Sequence, residues 1–276
     1  MGAPCVLASL GASDPEPRKH HLNGPRHDRT SAAAFAKVAE SYERSRPGYP
    51  PELVSWVADR LGIGPGATVA DVAAGTGKLT RELVSTGARV IAIEPLAEMR
   101  EQLEAVLPGV DARAGTAEEQ PLESGSVDAI TVAAAMHWFD IDRAVDEFIR
   151  VLRPGGAVAV LGPGRDLEQP LQRAVQEAIG DYLPEFSEIA GWRDGVARDG
   201  RFRLAETNEV PFEQMLDAEG LAERIGTISY IARLPDEERN AVLAEVRALG
   251  EQQPQTPFPF RYRMGATILR QTPSQY

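Results

Sequence analysis

Short apolar runs alternate with amphipathic stretches through the middle of the chain. Residues 68–73, 89–93, 112–114, 127–133 and 157–161 read as strands, with helices predicted at 78–86, 98–107 and 142–152. The strand segments are close to uninterrupted in apolar character, and the fourth reads as apolar throughout after Asp128. Strands of that kind are buried on both faces, which places them in a parallel sheet covered by helices. The helices carry the complementary signal: Leu79, Leu83 and Val84 form one stripe along 78–86.

The flanks differ. Residues 31–61 read as helical, with Phe35, Val38, Ala39 and Tyr42 on one face and a break at Arg46-Pro47-Gly48-Tyr49-Pro50-Pro51. After Gly162-Pro163-Gly164 the regular alternation stops. Residues 169–183 read as a helix, 203–210 as a strand, 217–232 and 235–249 as a helical pair, and 261–269 alternates like an edge strand. The fold class expected is α/β: a doubly wound, mostly parallel, Rossmann-like sheet with an antiparallel edge hairpin and a helical lid. The chain divides into a disordered leader (1–30), N-terminal helices with a cofactor-binding core (31–165), and a C-terminal sheet edge with its lid (166–276).

Composition narrows the function classes. The 276 residues carry a net charge of −12. A body this acidic repels phosphate backbones, so no nucleic-acid partner is expected. Cys5 is the single cysteine, which removes internal disulfides and cysteine-based metal sites and fits a reducing cytoplasm. No apolar run approaches the ~18–20 residues of a membrane span, so no membrane partner is expected. His20, His21 and His27 lie in the leader, leaving His137 as the histidine of the body. Oligomeric state is not specified by any of this.

The chemistry centres on Val69-Ala70-Asp71-Val72-Ala73-Ala74-Gly75-Thr76-Gly77-Lys78-Leu79-Thr80 and on Glu94. A buried strand enters a glycine turn that opens a helix, and a second strand ends on an acid. Gly75 and Gly77 let a ligand lie against the backbone, the first N–H groups of the helix point at it, and Glu94 suits two ribose hydroxyls. Two rival loops fail. A Walker loop needs glycine where Val72 stands and Ser or Thr where Leu79 stands. A dinucleotide fingerprint needs a third glycine where Thr80 stands. An NAD(P)-dependent oxidoreductase is weakened by that departure and stays open as an alternative.

Asp71-Val-Ala-Ala-Gly-Thr-Gly77, Glu94-Pro95, Gly115-Thr116-Ala117-Glu118, Ala133-Ala-Ala-Met-His-Trp-Phe-Asp140 and Arg153-Pro-Gly-Gly156 together resemble a class I S-adenosylmethionine-dependent methyltransferase. Residues 31–270 are similar to the small-molecule branch that includes trans-aconitate-type methyltransferases. The resemblance implies S-adenosyl-L-methionine as cofactor. Asp71, Gly75 and Gly77 would bound its methionine part, Glu94 its ribose, Pro95 and Leu96 the adenine face, and Thr116 and Ala117 the adenine edge. Ala133 and Ala134 would lie under the sulfonium. The helix with Tyr42 and Arg46 would close over the site, Arg46 near the cofactor carboxylate. Ala73 stands where the family usually has glycine; its small methyl group suggests tolerance.

Methyl transfer needs an aimed nucleophile more than acid–base machinery. A small-molecule acceptor, methylated on a hydroxyl or carboxylate oxygen by in-line displacement, is expected. His137, directly after the fourth strand, is the candidate general base, with a hydrogen-bonding wall or a group orienting Trp138 as its other roles. Tyr42, His137 and Trp138 are the candidate acceptor contacts. Trp192, Phe202, Tyr230 and Phe258 in the lid suggest a hydrophobic or aromatic acceptor, whereas Arg46 and Arg233 would receive an acidic one. A protein that binds the cofactor without transferring methyl is the remaining alternative.

Overall fold

Among the described residues seven strands form one sheet, and its strand order determines where a ligand can lie. The computed structural model describes residues 43–182 and 191–272. The leader and Tyr42 lie outside the described residues.

The first helix, α1 (Pro51–Leu61), starts with proline at its first position and Glu52 in its first turn, and stops at Gly62, whose φ is +66°. Its Leu53, Val54, Val57 and Ala58 are buried at helical spacing. Then follow β1 (Thr68–Val72), α2 (Lys78–Ser85), β2 (Arg89–Ile93), α3 (Ala97–Val106), β3 (Asp111–Arg113) and β4 (Val127–Ala133). A short turn of 3-10 helix, Met136–Trp138, leads to α4 (Ile141–Val151) and β5 (Leu152–Arg165). Asp140 caps α4, its carboxylate accepting the Arg143 N–H at 3.3 Å.

The C-terminal part comprises α5 (Pro170–Ala178), α6 (Trp192–Asp199), β6 (Phe202–Leu216), α7 (Ala218–Gly226), α8 (Ser229–Ala232), α9 (Asp236–Glu251) and β7 (Phe258–Gln271). The sheet order is β3-β2-β1-β4-β5-β7-β6. The first five of these strands in space are parallel, and β7 and β6 are antiparallel. The expected fold class is therefore the observed one.

One edge expectation needs correction. The 261–269 segment alternates because β7 buries Phe258, Phe260, Tyr262, Met264 and Ala266 on one face, not because it is an edge. It lies between β5 and β6, and β6 is the edge strand, where Pro211 can sit without losing a ladder bond in the sheet interior. The predicted 217–232 helix is also two helices, interrupted at Thr227 and Ile228.

Two buried clusters hold the layers. One joins α1 and α2 to the lid helices α7, α8 and α9 across the β7 face. The other packs α4 against the opposite face through Ala144, Val145, Phe148 and Val151. Phe148 is fully buried; truncating such a side chain to alanine costs about 3–5 kcal/mol.

Candidate active site

The carboxyl ends of β1, β2, β3 and β4 are level. Val72 is registered with Ile93 and Val132, and Ile93 with Arg113. The chain leaves β1 toward β2 on one side and reaches β4 on the other, and a crevice opens at such a reversal. The predicted residues of 73–77, 94–96, 116–117 and 133–137 all follow these strand ends.

The turn after β1 is strained at its first residue. Ala73 has φ +56°, in the left-handed region where alanine is disfavoured, and Ala134, after β4, has φ +53°. Both residues line the cleft, with Gly75, Arg46, Lys78 and Arg224. The cleft is partly open to solvent, and about 510 Å³ of empty space lies within it when that open part is counted.

The two glycines do different work. A side chain at Gly75 would meet nothing within 4 Å, so this backbone is open to a ligand. A Cβ at Gly77, whose φ is +85°, would sit 3.0 Å from Leu103 of α3. Gly77 is thus needed for the turn and for packing, and it does not line the cleft.

Glu94 is 5% exposed at the end of β2. One carboxylate oxygen accepts the Gly75 N–H at 2.9 Å and the other the Leu96 N–H at 3.1 Å. Burial pushes its pKa up, while the two N–H groups and Arg100 work against that shift. A carboxylate offers roughly four lone-pair positions. Two of these are taken by the Gly75 and Leu96 N–H groups.

Asp71 is fully buried beneath the turn. Its carboxylate accepts from the Thr80 hydroxyl at 2.6 Å and the Thr131 hydroxyl at 2.8 Å. Burial pushes its pKa up to about 6, and the two hydroxyls oppose the rise. Asp71 ties β1, β4 and α2 together and does not itself line the cleft.

Past the ends of β2 and β3, Pro95 and Thr116 are exposed, Leu96 is half-buried and Ala117 is buried. The Thr116 oxygen accepts the Glu119 N–H at 3.1 Å, which leaves its hydrogen for donation. Gly115 beside it is required by space, since a Cβ there would be 2.6 Å from Pro121.

The 43–46 segment straps across the cleft. Glu43 accepts from the Thr76 hydroxyl at 2.6 Å and from Arg81 at 3.1 Å, and its backbone carbonyl accepts from Lys78 at 2.6 Å. Arg44 pairs with Glu223 of α7. Arg46 donates to the Thr227 hydroxyl at 2.9 Å and carbonyl at 2.8 Å. The strap thus joins the glycine turn to the lid.

His137 lies in the 3-10 turn after β4, its ring 4.9 Å from that of Trp138. Arg233 stacks 5.1 Å above Trp138. Burial, then Arg233 and Arg46, hold the His137 pKa down to about 4. A pKa pushed down in this way favours the neutral imidazole and makes His137 a weak general base. The lid aromatics are also not acceptor contacts as a group. Phe202 and Phe258 are core residues, and the Tyr230 oxygen is taken up by Arg165.

Sequence reasoning missed Glu43, which no motif marks, and the cleft residues Arg224 and Met264, which long-range packing brings in. It also missed Thr131, although a polar residue inside an apolar strand was a visible signal that a buried partner existed.

A methyltransferase domain family matches residues 70–160, the span from β1 to β5. An uncharacterized methyltransferase of Mycobacterium tuberculosis is 38% identical over 228 residues, covering 80% of this chain and 87% of the relative. An uncharacterized methyltransferase-like protein of Schizosaccharomyces pombe is 32% identical over 214 residues, covering 77% and 84%. A solved structure assigned as a type II methyltransferase, from Anaeromyxobacter dehalogenans, superposes with a TM-score of 0.59 at 26% identity, covering 82% of this chain and 96% of that one. With the motifs, the strand order and the site geometry in agreement, the chain belongs to the class I S-adenosylmethionine-dependent methyltransferases.

Proposed function

We propose that the protein binds S-adenosyl-L-methionine in the crevice over β1 and β4 and methylates an oxygen of a small acid, with a carboxylate as nucleophile. The observation that carries the acceptor class is a cleft wall that holds Arg46 and Arg224, with Lys78 paired to Glu43 at 3.4 Å, beside a His137 whose pKa is pushed down by burial and by Arg233. An alcohol acceptor would need a base, and the geometry offers a poor one. A carboxylate acceptor is already charged, needs no base, and is attracted by cations.

The residues fit the cofactor. Glu94 retains lone pairs toward the ribose, Gly75 presents open backbone, and Pro95, Leu96, Thr116 and Ala117 border the adenine. Arg46 faces the methionine carboxylate, with Ala133 and Ala134 beneath the reacting centre. Gly77 and Asp71 shape the turn from behind, and Ala73 lines the cleft. When bound, the cofactor supplies a methyl group on a sulfonium, which leaves as a neutral thioether. The chain's part is to hold the acceptor oxygen in line with that carbon–sulfur bond and to keep water out. His137 and Trp138 then form a wall of the acceptor site. Transfer to a carboxylate gives a neutral methyl ester with no proton to move.

The NAD(P)-dependent alternative has no support from the family, and nothing in the site favours a protein that binds without transfer. The test is a screen of small acids, alcohols and amines with the cofactor, read by mass spectrometry as a product heavier by CH2 together with S-adenosylhomocysteine. Methyl esters of acids are expected; methylation confined to amines or alcohols would contradict the acceptor class.

A further inference from the structure

Met264 of the cleft wall lies on β7. On the buried face of β7, Tyr262 stands two residues before it, directly opposite Phe212 of β6, with the two rings 5.5 Å apart. Gln214 is the next β6 residue on that face, opposite Phe260 and so a diagonal neighbour of Tyr262. The Gln214 side-chain amide donates to the Ser45 carbonyl of the strap at 2.8 Å. Lid helix α7 covers this face through Leu221 and Ile225, and its Arg224 lines the cleft.

Three polar atoms in this region are buried and have no hydrogen-bond partner among the described residues: the Tyr262 hydroxyl, the Ser45 hydroxyl and the Gln214 side-chain oxygen. Tyr262 is 3% exposed and Ser45 4%. Buried polar groups in native proteins are normally paired, and unpaired ones collect at sites that a ligand completes. Arg224 and Arg46 of the cleft wall act electrostatically on the Tyr262 hydroxyl, and Ser45 and Gln214 line a second cavity with Leu216 and Glu223. Burial pushes the Tyr262 pKa up, so its hydroxyl keeps its proton and can donate it.

We propose that Tyr262, with Ser45 and Gln214 beside it and Arg224 at its mouth, forms the subsite that holds the end of the acceptor remote from the methylated oxygen. The group it takes is an oxygen acceptor such as a second carboxylate or a carbonyl, received by the Tyr262 and Ser45 hydroxyls, while the Gln214 oxygen accepts from any hydroxyl or amide on the same molecule. Tyr262 is then a specificity residue for the reaction. The proposal rests on the reading of the acceptor as a small acid.

The test uses the full chain and a panel of three- to eight-carbon mono- and dicarboxylic acids with the corresponding amides and alcohols, assayed for S-adenosylhomocysteine formation. Tyr262→Phe removes one oxygen and keeps the ring. KM for the best acid is expected to rise about tenfold or more, with kcat and the calorimetric Kd of S-adenosylhomocysteine little changed. Thermal stability is expected to hold or rise, since an unpaired buried hydroxyl is lost; a merely structural tyrosine would show that effect and leave KM alone. An unchanged KM for an acid that the wild type methylates overturns the subsite and leaves the acceptor class standing. Methylation of alcohols only, or of nothing in the panel, overturns the acceptor class and the subsite with it.

Discussion

Asp71 and Thr131 face each other across the parallel strands β1 and β4, and the threonine hydroxyl donates to the carboxylate at 2.8 Å. The pair lies directly under the strained turn that follows β1. With Thr80 on the other oxygen, it fixes the relative positions of the two strands whose ends the ligand must bridge.

This carboxyl group makes stability depend on pH in an unusual direction. Its pKa rises from the ordinary 3.8 to about 6 in the folded protein, so the folded state holds the proton more tightly than the unfolded chain. Raising the pH from about 4 to about 6 therefore removes stability, by up to about 3 kcal/mol, with no further change above that window. His137, held down to about 4, acts in the opposite direction, so the comparison must be between proteins that share it. In calorimetric melts, wild type should gain on Asp71→Asn as the pH falls from 7 to 4.5. A constant difference between the two proteins would refute the assignment.

The strain at Ala73 predicts a stabilising change. A left-handed alanine costs about 1 kcal/mol, and glycine is free of that cost. Ala73→Gly should raise stability by about 0.5–1 kcal/mol in urea unfolding, with binding of S-adenosylhomocysteine retained. A destabilised variant would show that the alanine methyl makes contacts worth more than the strain.

The fold was legible from residue 50 to residue 161 because apolar runs and glycine turns are local signals, and each predicted strand there is present. Thr131 shows how a signal can be visible and still be passed over: one hydroxyl in an apolar strand told that a buried acid lay opposite. Elsewhere the information is long-range. Nothing near Glu43 in sequence announces Thr76 and Arg81 as partners, and the alternation of β7 cannot distinguish a sheet edge from a strand with one covered face. The cofactor half of the site follows from a contiguous motif. The acceptor half proposed here draws on 45, 137, 214, 224 and 262, positions far apart in sequence.

Glu43 predicts a kinetic effect. Its carboxylate ties the strap to Thr76 and Arg81, and its side chain is 17% exposed, so the contact is only partly screened. Glu43→Ala should speed release of S-adenosylhomocysteine about tenfold in stopped-flow measurements, the loss of one charged hydrogen bond being worth ~1.5–3 kcal/mol at most. Unchanged release would mean that the strap does not control exchange.

His137 predicts an absence of titration. With its pKa near 4, kcat should be flat between pH 6 and 8, and His137→Gln should keep turnover within about tenfold, below the ~10²–10⁴ expected of a general base. A break in the profile near 6.5, together with a much larger loss in the variant, would restore the base.

Glu94 carries the most direct test. Calorimetric titration of S-adenosylhomocysteine into wild type and Glu94→Gln, with NADH as control, addresses the cofactor and its site together. The account predicts one-to-one binding by wild type, at least tenfold weaker binding by the variant, which loses one acceptor for the Gly75 and Leu96 N–H groups and the ribose, and no binding of NADH. Binding of NADH in place of S-adenosylhomocysteine, or equal affinity in both proteins, would contradict it.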